Sequence, residues 1–189
     1  NHPLPPLYLI AMSLVPSEFV NQESAIINHA VLLHIIRVED ISTSKFNQIE
    51  EWKEVLDPNN RSVDRLNKST RLVREINFQD DDDQQTSSTN KLKGSSTYKL
   101  LLRDKDNHFI YAYELEPLNF LRKEQTNTPM PIKLGGRLLV KPGTMILRGV
   151  LLLNHKNCEY KGIHTSDASL VSLLNDGLST REIDILSNS

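Results

Sequence analysis

The sequence predicts an all-β fold: a five-stranded barrel with a long insertion loop and flanking α-helices. Three observations point there. Apolar runs are of strand length and are separated by turn-rich segments. Helical spacing of apolar residues is confined to two stretches, one after the first strand and one near the C-terminal end. The 189 residues are 38% hydrophobic, enough for one core of ordinary size.

Residues 1–24 read as an extended N-terminal arm, because Pro3, Pro5, Pro6 and Pro16 forbid a long helix. The barrel domain is placed at 25–165. Its first strand is AVLLHIIRV, residues 30–38, β-branched and nearly continuous. A helix follows over roughly 44–56. Ser42 or Ser44 caps it, Phe46, Ile49, Trp52 and Val55 or Leu56 recur at helical spacing, and Pro58 stops it. Residues 57–96 form an insertion loop, polar and without period. It carries an unbroken acidic run, Asp80 to Asp83, and one apolar island, Leu72, Val73, Ile76 and Phe78, flanked by Arg71 and Arg74. A loop this long inside a compact domain is usually functional or disordered.

Strands resume at 97–103, turn at DKDN and return at 108–115, which reads as a hairpin. Phe109, Tyr111 and Tyr113 fall on one side of the second strand. A second linker, 116–135, carries Pro117, Pro129 and Pro131. Gly135 and Gly136 open RLLVKPGTMILRG, whose Pro142-Gly143 predicts a bulge, a bend or an edge. Val150 to Leu153 show no alternation, so both faces of that strand are expected to be covered. An Asn-rich turn leads to a last strand at NCEYKGI. In the C-terminal helical segment, 166–189, Leu170, Val171, Leu173 and Leu174 recur at helical spacing up to the stop Asn175-Asp176-Gly177. Ser179 or Thr180 caps one more short turn. Five short strands around a small core predict a closed or nearly closed barrel of OB outline, which leaves few edges.

No stretch approaches the length of an apolar membrane span, and the apolar start, rich in proline and without a basic flank, is not a signal peptide. The lack of an initiator Met leads us to expect part of something longer. One cysteine, Cys158, excludes an internal disulfide framework and a cysteine-cluster zinc site, and makes an intracellular setting the default. Net charge is −2, but residues 97–161 hold 11 basic and 6 acidic side chains.

Signs of catalysis are few. No His pair stands at helical i, i+4 spacing, and the phosphate-loop, dinucleotide and nucleophile-elbow patterns are missing. Asp80 to Asp83 lack the spacing and the Gly of a calcium loop. Asp104 and Asp106 read as turn residues, and Cys158 as a buried structural thiol. No metal or cofactor is expected. Single-strand nucleic-acid binding stays open as an alternative, because Tyr98, Phe109, Tyr111 and Tyr113 lie among Lys99, Arg103 and Lys105. Alternate aromatics are nonetheless expected to face the core more often than solvent.

Several stretches resemble one family. HPLPP, residues 2–6, is similar to its junction between a helical region and the barrel. AVLLHIIRVEDISTSKFNQIEE, residues 30–51, and TYKLLLRDKDNHFIYAYELEPL, residues 97–118, are similar to its first three strands and first helix. LGGRLLVKPGTMILRGVLLLNHKNCEYKGI, residues 134–163, is the most specific. Together they resemble the OB-fold subunit of RecQ-mediated genome instability complexes, the partner of topoisomerase III. Tudor-containing partners of topoisomerase III beta share the barrel and the Leu-Leu-Leu-Asn stretch, and stay open as an alternative.

The resemblance implies a nuclear, non-catalytic accessory subunit. Its expected partners are a type IA topoisomerase III, a RecQ-type helicase, and DNA bound weakly or through the topoisomerase, with no membrane. It would stabilise the topoisomerase and tune strand passage in dissolving recombination intermediates. The insertion would reach toward the DNA gate, making Arg71, Leu72, Val73, Arg74, Ile76 and Phe78 partner contacts. On the barrel, Arg148, Asn154, His155 and Lys156 are docking candidates, since a basic position of the family reads Asn154 here and Lys156 stands two residues on. Lys99, Arg103, Lys105 and Tyr111 are the DNA-binding candidates.

Overall fold

Apolar residues at alternate positions build the barrel wall. The computed structural model describes residues 13, 14, 16–59, 96–122 and 128–189. The strands are β1 (Ser24–Ile26), β2 (Val31–Asp40), β3 (Tyr98–Arg103), β4 (Phe109–Glu114), β5 (Arg137–Val140), β6 (Met145–Leu147), β7 (Val150–Leu153) and β8 (Cys158–Gly162). The helices are α1 (Lys45–Leu56), α2 (Ala168–Asn175) and α3 (Leu178–Ser187). Most of the expected arm, and the insertion from 60 to 95, lie outside the described residues.

One sheet runs in the order β1-β6-β7-β4-β3-β2-β5-β8. It curls on itself. Ser24 to Ile26 pair with Leu147 to Met145, and Val31 to His34 pair with Val140 to Arg137, on one continuous antiparallel register. Between them the Ile27 amide donates to the Thr144 carbonyl at 3.0 Å, and the Gly143 amide to Ile27 at 2.8 Å. β4 and β7 pair in parallel, Tyr111 beside Val150 through Glu114 beside Leu153.

The described residues thus form eight strands, not five. One unexpected strand, β1, and local bends account for the difference. Asn28 to Ala30 divide β1 from β2, and Lys141 to Thr144 divide β5 from β6, with Gly143 at φ +91° supplying the turn. The Asn154 to Asn157 turn divides β7 from β8 as expected, and there the Lys141 amide still reaches the Asn157 carbonyl at 2.8 Å.

Leu33, Ile35, Leu100, Leu102, Leu138, Val140, Leu151 and Leu153 are fully buried at the centre. Each large aliphatic side chain so removed from water contributes about 1.5–3 kcal/mol. Val150 and Leu152 stay half-buried on the outer side, so the uninterrupted apolar run has only one sealed face.

Ser44 caps α1: its hydroxyl accepts from the Asn47 amide at 3.2 Å. Ser42 instead donates its hydroxyl to Asp40. Trp52 is buried from α1, while Phe46 remains 61% exposed. The expected short C-terminal turn is a ten-residue helix, α3, which packs on α1 and buries Leu186. Gly177, at φ +63°, reverses the chain between α2 and α3.

The C-terminal helices cover the outer side of β2 and β5. Glu182 of α3 takes three hydrogen bonds from Arg37, at 3.0–3.1 Å. Asp167, just before α2, meets Arg137 Nε at 2.7 Å and His34 Nε2 at 3.0 Å. The Arg137 hydrogen bond, with His34 in support, holds the Asp167 carboxyl down at about 2.

Candidate functional site

Elsewhere on the outer surface the described residues leave large apolar side chains exposed. On β4, Ile110, Ala112 and Glu114 turn inward, so Phe109, Tyr111 and Tyr113 turn out and are 49, 45 and 36% exposed. The expectation that these aromatics pack in the core is overturned. Cross-strand register extends the face. Arg103 lies beside Phe109, Leu101 beside Tyr111 and Lys99 beside Tyr113. Val150 and Leu152 of β7 follow on the far side. Leu147 pairs with Val150, and Met145 with Ile26. Ile26, Met145 and Leu147 are 63, 44 and 42% exposed. A contiguous apolar face of this breadth marks an interaction surface.

Its two flanks differ chemically. Toward β6 and β1 it is aliphatic. Toward β3 it is aromatic and cationic: Lys99 Nζ sits 4.1 Å from the centre of the Tyr111 ring, a cation–π contact.

Beneath the face, the end of β4 is locked by charge. Glu114 is buried and accepts from the Tyr98 amide at 2.9 Å and the Leu118 amide at 2.9 Å. Arg122 closes on it with bonds of 2.6 and 2.9 Å. That hydrogen bonding raises the Arg122 pKa.

The docking candidates on the barrel separate. Arg148 forms the tip of the β6–β7 hairpin, with its amide donating to the Glu23 carbonyl at 2.9 Å. Asn154, His155 and Lys156 lie at the opposite end of β7. Asn154 has a turn to build, its Oδ1 accepting from the Lys156 and Asn157 amides, both at 2.9 Å. The His155 amide and ring both bind Glu116. Arg71, Leu72, Val73, Arg74, Ile76 and Phe78 lie outside the described residues.

Asp104 takes the turn role expected of it. It is buried, and its Oδ1 accepts from the Asp106 amide at 2.9 Å and the His108 amide at 2.8 Å. Its Oδ2 accepts from the Leu14 amide at 3.1 Å. Among the described residues Asp104, Asp106 and His108 are the one group with metal-ligating atoms close together, but these backbone amides already occupy the Asp104 oxygens. Cys158 is buried, which pushes its thiol up to about 11. A cleft of about 430 Å³ lies between the end of α1 and the α2–α3 elbow, and its lining, from Trp52 to Thr180, includes no carboxylate, imidazole or thiol.

Sequence reasoning named Tyr111 and missed Phe109 and Tyr113 as surface residues. The signal was the charge on β3. Lys99 and Arg103 face outward, and hairpin pairing carries their side of the sheet to the odd-numbered residues of β4.

Comparison with known proteins places the chain. The family model described as "RMI1, N-terminal OB-fold domain" matches residues 15–169. RecQ-mediated genome instability protein 1 of Saccharomyces cerevisiae is 24% identical over 161 residues, covering 76% of this chain and 63% of the yeast protein. The chain therefore spans somewhat less than two thirds of the length of that relative. With most of its length matched, and an OB sheet to carry the match, the chain belongs to the RMI1 N-terminal OB-fold domain family.

Proposed function

We propose that the chain is a non-catalytic accessory subunit of a nuclear genome-stability complex. It docks on a type IA topoisomerase III, stabilises it, and tunes its strand passage beside a RecQ-type helicase. Family membership and the name of the yeast relative support this reading. The observation that carries it is the uncovered aliphatic face on β1, β6 and β7. There Ile26, Met145 and Leu147 stay exposed, while among the described residues the C-terminal helical segment is fastened to β2 and β5 through Arg37 and Arg137. Arg148 borders that face and is 79% exposed, a position suited to a partner carboxylate.

The insertion leaves α1 beyond Pro58 and returns at Ser96. In this reading it contributes the gate contact, through Leu72, Val73, Ile76 and Phe78 with Arg71 and Arg74.

Association of the purified chain with topoisomerase III tests the proposal. Stoichiometric co-purification is expected, weakened roughly tenfold by Leu147→Asp. Polar replacement of Leu72, Val73, Ile76 and Phe78 should alter decatenation and leave the barrel folded. A wild-type chain that fails to associate overturns the proposal. Unchanged decatenation in the loop variant removes the insertion from the mechanism.

A further inference from the structure

We infer that docking proceeds by strand addition: an extended segment of the topoisomerase pairs with the free edge of β1. The identity of the partner rests on the proposed function, and the edge stands on hydrogen-bond geometry. The Arg148 amide donates to the Glu23 carbonyl at 2.9 Å, and the Ile27 amide to the Thr144 carbonyl at 3.0 Å. In an antiparallel ladder, residues that exchange bonds with one neighbour alternate with residues whose amide and carbonyl point the other way. Glu23, Ala25 and Ile27 therefore face β6. Ser24 and Ile26 present their N–H and C=O groups to the opposite side. Among the described residues no strand takes them up: β1 ends the sheet order, and its ladder runs to β6.

The two ends of the sheet are kept differently. Native edges are blunted by charge, proline, a bulge or a covering segment. At β8, Glu159 and Lys161 carry charge, and Phe120 stacks on Tyr160 with ring centres 4.8 Å apart. β1 has no such guard. Its residues are Ser24, Ala25 and Ile26, in register with Leu147, Ile146 and Met145 without a bulge. Ser24 is exposed, and Ile26 is 63% exposed. An apolar side chain on an open edge invites pairing.

The occupant is defined by what the edge lacks. Amides and carbonyls spaced along a strand need an extended backbone about 4.8 Å away. A helix keeps its own backbone groups bonded internally and offers only side chains. Side chains of an added strand alternate between faces. The one opposite Ile26 extends the aliphatic row of Ile26 and Met145, and the one opposite Ser24 extends the row that holds Leu147. Beyond Ser24, a carboxylate meets Arg148, whose pair with Glu23 is exposed and 3.5 Å long. The segment is thus short, extended, aliphatic on its outer side and acidic at one end. Main-chain bonds give such a contact its affinity, and the side-chain rows give it selectivity.

Hydrogen exchange, read residue by residue on the whole chain alone and with topoisomerase III, tests the inference. In the free chain the Ser24 and Ile26 amides should exchange fast, and the Ala25 amide slowly. Saturation with the topoisomerase should slow Ser24 and Ile26 roughly tenfold or more. Ser24→Pro removes one outward N–H at the first residue of the strand and keeps every bond to β6, so Tm should hold. Its affinity for the topoisomerase should fall roughly threefold or more, as for one lost hydrogen bond. Amides that stay fast in the complex, or are slow already in the free chain, overturn the inference. So does full affinity of a folded Ser24→Pro chain. Slowing that needs only a higher concentration of the chain assigns the edge to a second copy and overturns it too. A complex that forms with both amides fast sinks this inference alone. Absence of any complex sinks the proposed function and this inference with it.

Discussion

Arg148 and Gly149 are the two central residues of the β6–β7 hairpin, at φ +48° and +77°. Positive φ at both positions is the type I′ turn that matches the twist of a two-residue hairpin. Gly149 adopts it freely, and Arg148 does not. A side chain in the left-handed region costs about 1–2 kcal/mol, and Asn tolerates that region best among the non-glycine residues. Arg148 has little to offset the strain. Its ion pair with Glu23 is 3.5 Å long, and the two side chains are 79 and 80% exposed. Such a pair is worth about 0–1 kcal/mol. The hydrogen bond from the Arg148 amide to the Glu23 carbonyl belongs to the backbone and survives substitution. Arg148→Asn should therefore stabilise the fold by about 0.5–1 kcal/mol. For a domain of this size that raises Tm by roughly 1–4 °C. Thermal melts of the wild type, Arg148→Asn and Arg148→Lys measure it. Lys keeps both charge and strain, so its Tm should stay at the wild-type value. A lower Tm for the Asn variant, or an equal gain for Lys, refutes the reasoning that the turn, and not the charge, sets the stability of this position.

Two further outcomes follow from the buried charges. Glu114→Ala strands Arg122 and leaves the Tyr98 and Leu118 amides without their acceptor. It should cost about 3–5 kcal/mol in urea unfolding, and a loss under about 1 kcal/mol would show that water replaces the carboxylate. Asp167 is held at about 2 in the fold against an ordinary 3.8, so its stabilisation is complete above about pH 4 and is lost as pH falls toward 2. Asp167→Asn should be less stable than wild type at neutral pH, and the gap should close in acid. A gap independent of pH would mean that the hydrogen-bond geometry, not the charge, fastens α2 to the sheet.

Much of this molecule follows from local chemistry. The strand runs, the Ser44 cap, the Asp104 turn and the Pro142-Gly143 bend are each legible because a few neighbouring residues decide them. The number of strands is not legible in that way. Whether Lys141 to Thr144 bends one strand or divides two depends on the backbone hydrogen bonds it exchanges with Ile27 and donates to the Asn157 carbonyl across the sheet. The length of α3 escaped for a similar reason. Its sequence is mostly polar, and only packing against α1 buries Leu186.

The sequence by itself determined that β4 would have an aromatic side and a small or aliphatic side, since period-two alternation is a property of the strand. Only the tertiary structure decided which side is wet. Ala112 pairs with the buried Leu100 and Leu151 at the barrel centre, and Glu114 turns inward to meet Arg122. Phe109, Tyr111 and Tyr113 are left on the outer side of β4, partly exposed.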